Sequence, residues 1–341
     1  MLEYRQNVSL LPYNTFGIDA TAQTMIVADD ADALAHELRT LRAPETKPLS
    51  DMLILGGGSN ILFVSEKCPL VIHPVFKGIE LLEEHNDTAL VRACAGEIWD
   101  EWIQWCIERG YSGMENLSAI PGTVGACPVQ NIGAYGTEAK DVIETVEAVE
   151  TATGKTVHFR RRECGFGYRD SFFKQHKGKY LIVSVTFRLS KTFTPQLSYA
   201  GLQTELAGEL EITPSSVRDA VMRIRQQKLP EWQQLGSAGS FFKNPLVSQQ
   251  KVEELRRTYE NIPLYSVPQD GFRKISAAWL IEQCGWKGVQ KGHVGVYHNQ
   301  PLILVNRGNA TGREVMDFAR EIMDSAEKKF GIRMETEVNI V

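Results

Sequence analysis

Three consecutive glycines follow an apolar run early in the chain. Met52 to Leu55 predicts a short buried strand, and it continues directly into Gly56-Gly57-Gly58-Ser59-Asn60. A tight turn without side chains leaves several backbone N–H groups uncovered, and such groups can bind a diphosphate. The Rossmann fingerprint is disfavoured because Ile61 stands where a third glycine is required. A phosphate site of another kind and an ordinary tight turn both remain open.

A second glycine-rich stretch lies further along the chain. It contains four glycines and several other small residues, which would let a large planar ligand lie against the backbone. Together the two loops could hold the two halves of one extended dinucleotide, although a plain connecting loop remains the alternative. The stretch reads Ile120-Pro121-Gly122-Thr123-Val124-Gly125-Ala126-Cys127-Pro128-Val129-Gln130-Asn131-Ile132-Gly133-Ala134-Tyr135-Gly136.

Apolar periodicity predicts the elements that must position these loops. The first third alternates strands with a helix, which indicates an α/β unit. The segments concerned are the strands Thr24 to Ala28, Met52 to Leu55 and Leu70 to His73, and the helix Asp30 to Arg42.

The middle of the chain departs from this simple alternation. After a strand from Ala89, a helix is expected from Ile98 to Arg109, stopped by Gly110. Its buried face is predicted to carry Ile98, Trp102, Trp105 and Cys106, with Trp99 off that face. A hairpin turning near Gly154 and a long strand follow, which together indicate an α+β organisation. Their segments are Val142 to Glu150, Thr156 to Arg160 and Tyr180 to Leu189.

The last third is expected to be a separate α+β unit, punctuated by Pro245, Pro263 and Pro268. Thr213 and Pro214 are typical of a helix start, and that helix should end near Leu229. Further helices and one strand are predicted from the same kind of periodicity. They are the helices Ser248 to Glu260, Ile275 to Gln283 and Gly312 to Phe330, and the strand Leu302 to Asn306.

Composition excludes several classes of protein. The net charge of −5 argues against a nucleic-acid-binding protein, and the basic run at Arg160 to Arg162 is interpreted as a solvated face. The six cysteines form no C-x-x-C pair, so no metal site is expected. The sequence offers no export signal and no membrane span, so a cytoplasmic protein with free thiols and no membrane partner is predicted.

Several motifs occur together in an order that resembles one known family. They are Asn14-Thr15-Phe16, the Gly56 to Leu62 turn, Ile120 to Gly136, Phe166-Gly167-Tyr168-Arg169-Asp170-Ser171, Gly236 to Pro245, and Met334-Glu335-Thr336-Glu337-Val338. This set resembles the UDP-N-acetylenolpyruvoylglucosamine reductases (MurB), in their longer, type I form, from about residue 10 to the end. Cys127 departs from the family pattern, where alanine is expected, but both residues are small.

The resemblance implies an α+β fold. It comprises a two-lobed FAD-binding fold of the vanillyl-alcohol oxidase type and a C-terminal α+β substrate-binding domain. The expected boundaries are residues 1–70 for the first lobe, joined by 331–341, then 71–212 for the second lobe and 213–330 for the substrate domain. A monomer is expected.

The resemblance also implies an activity, namely NADPH-dependent reduction of UDP-N-acetylglucosamine enolpyruvate through non-covalent FAD. Hydride would pass to the methylene carbon, Ser240 would give the proton, and Arg169 with Glu337 would stabilise the enol. From the residues alone, only Arg169 suggests its role, because a guanidinium matches a carboxylate in two-point geometry. Ser240 would otherwise be taken as a turn residue and Glu337 as a surface charge.

Further residues are assigned by the same resemblance. The FAD is expected on Gly56, Gly57, Gly58, Ser59, Asn60, Ile120, Pro121, Gly122, Gly125, Ala126, Gln130, Asn131, Gly133, Ala134 and Tyr135. The UDP-sugar is expected on Tyr199, Lys228, Asn244, Lys274 and Gln300, with Tyr265 in a loop from Pro263 to Gly271 that would close over it. Lys228 alternatively interacts with a helix dipole.

Two other functions stay open on the sequence. A flavoprotein oxidase of the same superfamily would share the FAD loops but not Ser240 or Glu337. A flavin-binding sensor without turnover is the other, and the presence of Arg169, Ser240 and Glu337 together weighs against it.

Overall fold

The computed structural model of the chain describes residues 1–41, 52–267 and 269–341. The strands, in chain order, are β1 (Leu2–Ser9), β2 (Thr21–Ala28), β3 (Met52–Ile54), β4 (Ile61–Leu62), β5 (Lys67–Pro74), β6 (Ile79–Glu84), β7 (Thr88–Cys94), β8 (Gly133–Ala134), β9 (Thr137–Glu138), β10 (Ile143–Glu150), β11 (Lys155–Arg160), β12 (Tyr180–Ser190), β13 (Gly236–Ser240), β14 (Leu246–Ser248), β15 (Leu264–Tyr265), β16 (Phe272–Ile275), β17 (Gln290–Lys291), β18 (Val294–Val296), β19 (Ile303–Asn306) and β20 (Asn339–Ile340).

The α-helices are α1 (Ala31–Leu41), α2 (Trp99–Glu108), α3 (Phe172–Gln175), α4 (Ala200–Glu205), α5 (Pro214–Lys228), α6 (Gln249–Arg256), α7 (Ala277–Gln283) and α8 (Gly312–Phe330). Among the described helices, none combines the length and the apolar character needed to cross a bilayer. The chain divides into two compact units. Unit 1 contains Met1–Val8, Thr21–Gly57 and Lys67–Arg225, and unit 2 contains Ser9–Ala20, Gly58–Glu66 and Gln226–Val341.

Unit 1 is built on two larger sheets. The first has the order β1-β2-β5-β3, in which β5 pairs in parallel with both β2 and β3. Ile26 on β2 and Ile72 on β5 have no exposed surface, and neither does Leu34 on α1, whereas β1 has no fully buried residue. The second sheet is antiparallel with the order β11-β10-β12-β7-β6, and it places β7 directly before the helix α2.

Unit 2 has the sheet β13-β19-β18-β17, a smaller sheet β14-β16-β15, and a parallel pair of β4 with β20. Helix α8 begins with a capping box, in which the Thr311 hydroxyl accepts from the Glu314 N–H and the Glu314 carboxylate accepts from the Thr311 N–H. It ends at Gly331, which adopts a left-handed conformation with a φ of 63°. Val315, Ala319 and other apolar residues at helical spacing are buried.

Most predicted elements are confirmed to within a few residues. The hairpin is β10 with β11, and the helix predicted from Gly312 to Phe330 has those bounds. The end of the first predicted helix at Arg42 and the Pro268 breakpoint lie outside the described residues. Strand β1 was not expected, because its alternation is irregular and its residues are mostly exposed or half-buried. The helix predicted from Ser248 is shorter than expected, since α6 ends at Arg256.

The predicted buried face of α2 is wrong at two positions. Trp99 is only 1% exposed and its indole N–H donates to the Leu117 carbonyl at 3.0 Å, whereas the Ile98 side chain is 42% exposed. Ile98 has an extended backbone and bridges to Thr123, so it precedes the helix and does not follow the helical periodicity. Gly110 does adopt the predicted left-handed conformation, with a φ of 75°.

Candidate functional site

The two glycine-rich loops meet within unit 1. A Cβ atom on Gly57 would stand 2.8 Å from the Cα of Gly122, and one on Gly56 would stand 2.9 Å from the Thr123 hydroxyl. Only glycine at position 57 allows this approach of one backbone to the other without a shift. The first and second loops therefore form one surface, although they are distant in sequence.

The second loop is anchored to the start of α2. The Trp99 N–H donates to the Gly122 carbonyl at 3.1 Å, and the Val124 N–H donates to the Glu97 carbonyl at 2.9 Å. Gly125 lies against Ala95, where a Cβ would come within 2.6 Å of the Ala95 Cβ. The sheet and the helix thus hold the loop from beneath.

The joined loops present backbone and small side chains to solvent. Gly57, Pro121 and Ala126 are exposed, and Gly56 and Gly122 are half-buried. The N–H groups of Gly56 and Gly57 meet no hydrogen-bond acceptor among the described residues. The uncovered N–H groups can donate to a diphosphate, and the absence of large side chains leaves space for a flat ring attached to it. The residues present therefore fit FAD.

An ion pair tethers the beginning of the second loop. Arg218 on α5 donates twice to the Asp100 carboxylate on α2, with its Nη2 at 2.8 Å from Oδ2, and the same carboxylate accepts from the Ala119 N–H. Burial raises the pKa of Asp100, but these hydrogen bonds outweigh it, so the net pKa is lowered. Ala119 has a left-handed φ of 58° and its carbonyl accepts from Arg225 at 3.1 Å. Burial lowers the pKa of Arg225, and its bond to Tyr135 opposes that shift.

Asn131 is completely buried and its side chain is engaged by the protein. Its Nδ2 donates to the Glu138 carboxylate and to the Gly167 carbonyl, each at 3.0 Å, and its Oδ1 accepts from the Lys140 N–H at 3.0 Å. Asn131 therefore joins the second loop to the turn that carries Arg169. The contact of Asn131 with FAD stays a prediction. The three hydrogen bonds already engage its amide, so they do not favour a contact through that group.

Arg169 lies at the tip of that turn, in unit 1. Its guanidinium donates to the Gly133 carbonyl, and a Cβ on Gly133 would come within 2.8 Å of its Nη1. The Tyr168 ring lies 5.3 Å from the guanidinium carbon. Lys174, which was not among the sequence candidates, donates to the Arg169 carbonyl at 3.0 Å. The only sequence signal for Lys174 is its position three residues after the Phe166 to Ser171 motif.

Tyr135 and Tyr199 are also brought together in unit 1. Their ring centroids are 5.0 Å apart in an edge-to-face arrangement. Asn116 connects the two segments, since its Nδ2 donates to the carbonyls of Tyr135 and Gln196 at 2.8 Å each. Tyr199 is 37% exposed and so can meet a ligand.

In unit 2 the third glycine of the turn packs against the Asn14-Thr15-Phe16 motif. A Cβ on Gly58 would come within 1.9 Å of the Tyr13 carbonyl oxygen, and the Thr15 N–H donates to the Gly58 carbonyl at 3.1 Å. The Thr15 hydroxyl donates to the Ser237 carbonyl on β13 at 2.7 Å. This motif therefore fixes β13, the strand that ends in Ser240.

Ser240 and Glu337 are neighbours in unit 2. The Glu337 N–H donates to the carbonyl of Phe241 at 2.8 Å, and Phe242 bridges to Thr336. Gly239 has a left-handed φ of 69° and lies in a bulge of β13, which shifts the register between Ser237 and Ser240. Asn60 lies beside the pair, because its Nδ2 donates to the Glu337 carbonyl at 3.4 Å. Ser240 and Glu337 are both half-buried.

The remaining predicted residues of unit 2 lie on different elements. Lys274 and Tyr265 are cross-strand partners, with the ammonium 5.7 Å from the ring centroid. The Asn244 Oδ1 accepts from the Ala277 N–H at the start of α7. Gln300 caps the turn before β19, where its carbonyl accepts from the Ile303 N–H at 3.0 Å. Lys228 is the last residue of α5, and Ser59 adjoins Asn60 in the turn before β4.

Cys127, a residue of the second loop, is only 1% exposed. Burial raises the pKa of its thiol well above the usual value, so the group stays protonated. The small thiol therefore acts as a packing residue where alanine was expected.

Known proteins match the chain along its whole length. Residues 22–160 match the FAD binding domain family, and residues 230–341 match the family of the UDP-N-acetylenolpyruvoylglucosamine reductase C-terminal domain. A UDP-N-acetylenolpyruvoylglucosamine reductase of Amoebophilus asiaticus is 46% identical over 343 residues, covering 100% of both chains. One of Pseudomonas putida is 42% identical over 342 residues, covering 99% of each.

The chain belongs to the UDP-N-acetylenolpyruvoylglucosamine reductase family. It is therefore an oxidoreductase with FAD as its cofactor. The crystal structure of the family member from Thermus caldophilus matches with a TM-score of 0.68, covering 100% of this chain and 98% of that one at 22% identity. The predicted α+β fold of the reductase family, an FAD-binding fold with a C-terminal substrate domain, is confirmed.

Proposed function

We propose that this member of the reductase family reduces UDP-N-acetylglucosamine enolpyruvate to UDP-N-acetylmuramate at the expense of NADPH. The product is a precursor of peptidoglycan. The observation that carries the proposal is the full-length membership in the family, which includes both the FAD-binding and the C-terminal domain. The proposal also includes a cytoplasmic location and a monomer that needs no macromolecular partner.

FAD would lie on the surface formed by Gly56, Gly57 and the Ile120 to Tyr135 loop. When bound, it supplies the hydride carrier between the nicotinamide and the enolpyruvyl group. The uncovered N–H groups of the first loop would bind the diphosphate, and the small residues of the second would leave room for the ring. The chain's own residues then have to bind, orient and protonate the substrate.

Addition of hydride to the methylene carbon leaves negative charge that spreads into the adjacent carboxylate. Arg169 suits this charge because its guanidinium stays protonated and offers paired donors. In our proposal it stabilises the developing enolate by electrostatic preorganisation, a contribution that is large where water is excluded. Glu337 acts with it on the enol.

Ser240 delivers the proton that completes the reduction. Its position at the end of β13 beside a left-handed glycine holds the hydroxyl on a strand and not on a mobile loop. A serine is a weak acid, so the proposal relies on its placement more than on its acidity. A positioned proton donor typically accelerates a reaction about 10²- to 10⁴-fold.

The UDP portion needs cations and hydrogen-bond donors. We assign it to Tyr199, Lys228, Asn244, Lys274 and Gln300. Tyr265, the last residue of β15, is 47% exposed and is proposed to close over the sugar nucleotide. Residue 268, in the same Pro263 to Gly271 segment, lies outside the described part of the chain.

An anaerobic titration tests this function directly. The purified yellow protein should bleach on addition of NADPH, and the flavin absorbance should return on addition of UDP-N-acetylglucosamine enolpyruvate in the absence of oxygen. Return of colour only when oxygen is admitted would instead indicate an oxidase. A flavin that NADPH does not bleach would indicate a binding protein without turnover, and either result would contradict the proposal.

A further inference from the structure

The backbone of Arg169 has a conformation that its side chain does not favour. Its φ is 52°, in the left-handed region, which a non-glycine residue enters only when its surroundings require it. The residue lies in a tight turn closed by the Gly167 N–H, which donates to the Asp170 carbonyl at 2.9 Å. Something in the fold must hold the turn in this form.

Two contacts on Arg169 itself oppose relaxation of the turn. At one end the guanidinium donates to the Gly133 carbonyl. At the other end the Lys174 ammonium donates to the Arg169 carbonyl at 3.0 Å. Rotation of the backbone toward an ordinary φ would turn that carbonyl, and the ammonium would lose its acceptor.

Lys174 is itself fixed by the helix that begins just before it. The Ser171 hydroxyl accepts from the Lys174 N–H at 3.2 Å and donates to the carbonyl of Val129 in the second loop. The Lys174 side chain is half-buried, so its reach is restricted. The backbone of Lys174 is thus attached to the scaffold while its ammonium reaches back over five residues to Arg169.

We infer that Lys174 is a positioning residue for the reaction, because it keeps Arg169 in the left-handed turn that aims the guanidinium. This inference rests on the proposed function, which gives Arg169 its role toward the enolate. Lys174 acts through Arg169 and does not touch the substrate. A charge-assisted bond to a backbone carbonyl is stronger than a neutral one, which suits a group that has to hold a strained turn.

The test compares Lys174→Met with Lys174→Arg and uses the two half-reactions, measured separately by stopped flow on the FAD-loaded protein. Lys174→Met should keep its flavin and be reduced by NADPH at the normal rate, while reoxidation by the enolpyruvyl substrate slows about tenfold or more. Lys174→Arg retains a cationic donor and should recover most of that loss. Lys177→Met, an exposed lysine of the same segment, serves as the control and should leave both half-reactions unchanged.

A second comparison separates positioning from general damage. In an Arg169→Lys background, loss of Lys174 should cause little further slowing, because the group that it positions is already impaired. Equal slowing of both half-reactions in Lys174→Met, or full additivity with Arg169→Lys, would overturn the inference. If Lys174→Met yields no folded holoprotein, Lys174→Gln replaces it, with the same slowing expected because an uncharged, shorter amide cannot reach the carbonyl in the same way.

The two hypotheses fail in different ways. If the wild-type protein is reduced by NADPH but is not reoxidised by the enolpyruvyl substrate, the proposed function is wrong. If the wild type turns over and Lys174→Met reoxidises at the wild-type rate, only the role of Lys174 is wrong.

Discussion

The roles proposed for Ser240 and Glu337 are ones that their residue types do not predict. Each is common on protein surfaces, and neither stands in a motif with its own chemical signature. In unit 2 the hydrogen bond from the Glu337 N–H to the Phe241 carbonyl makes them neighbours. The bulge at Gly239 shifts the register at the end of the strand, which places Ser240 on a segment adjoining that of Glu337.

Replacing Ser240 with alanine should separate the two half-reactions. Flavin content and reduction by NADPH should stay nearly unchanged, because hydride arrival needs no protein acid. Reoxidation by the enolpyruvyl substrate should slow by at least about 10²-fold, because proton delivery to the substrate carbon does need one. Stopped-flow absorbance of the flavin measures both steps.

Ser240→Cys is the matched variant, since a thiol is a stronger acid of similar reach and should recover part of the lost rate. Unchanged reoxidation in Ser240→Ala would remove the hydroxyl from the mechanism. Equal slowing of both steps would indicate that the substitution damages the active site as a whole.

Among the secondary-structure elements of unit 1, α2 and α5 have a role beyond packing. Asp100 on α2 accepts from Arg218 on α5 and also from the Ala119 N–H, directly before the Ile120 to Tyr135 loop. The ion pair therefore joins two helices and at the same time fixes the start of the loop that we propose binds FAD. Because the Arg218 side chain is largely buried, this ion pair should contribute more to stability than an exposed pair does.

Asp100→Asn should lower the free energy of unfolding by about 1–3 kcal/mol at neutral pH, because two charge-assisted bonds are lost or weakened. The folded pKa of Asp100 is lower than its unfolded value of about 3.9. The stabilisation is therefore fully present above about pH 4 and is lost as the pH falls through the lower folded pKa. Urea denaturation at a series of pH values measures the difference between the two proteins.

The neighbouring Glu101 provides the control. It is exposed on the same helix, so Glu101→Gln should leave stability within about 0.5 kcal/mol of wild type. A stability difference for Asp100→Asn that grows as the pH falls below 4 would contradict the assignment. Weaker FAD retention by Asp100→Asn is also expected, since the loop loses its tether.

For the whole molecule, the proposed function implies one flavin that serves two substrates. The surface that fits FAD is formed by two loops of unit 1, and no second glycine-rich pair of this kind occurs in the described residues. If one flavin takes hydride from NADPH and passes it to the UDP-sugar, each reacting carbon has to approach the same ring. The two substrates should then exclude each other.

Initial-rate kinetics should be ping-pong, with inhibition when either substrate is in excess. Parallel lines are expected in double-reciprocal plots at several fixed concentrations of the second substrate. Tightly bound but non-covalent FAD, about one per chain, should accompany this behaviour and be released into the supernatant on denaturation. Intersecting lines without substrate inhibition would indicate a separate nicotinamide site and would contradict a mechanism in which both substrates use the same flavin.

Local pattern alone determined much of this protein. The bounds of α8, the β10–β11 hairpin and the helix start at Pro214 were predictable because caps, left-handed glycines and apolar periodicity act over a few residues. The ordered motifs also identified the family and, through it, the candidate residues. For Ser240 and Glu337 this depended on resemblance, since nothing local marks either side chain as reactive.

Tertiary structure decided which of these residues meet. The burial of Trp99, the contact of Gly57 with Gly122, the adjacency of Ser240 to Glu337 and the bond from Lys174 to Arg169 depend on packing between segments or on a strained turn. Ile98 illustrates the limit of prediction from local periodicity. The periodicity placed Ile98 on a helical face, but its backbone is extended and pairs with Thr123. Short-range hydrogen bonds and periodicity specify elements, whereas contacts between distant segments depend on how those elements pack, and one sequence does not display that.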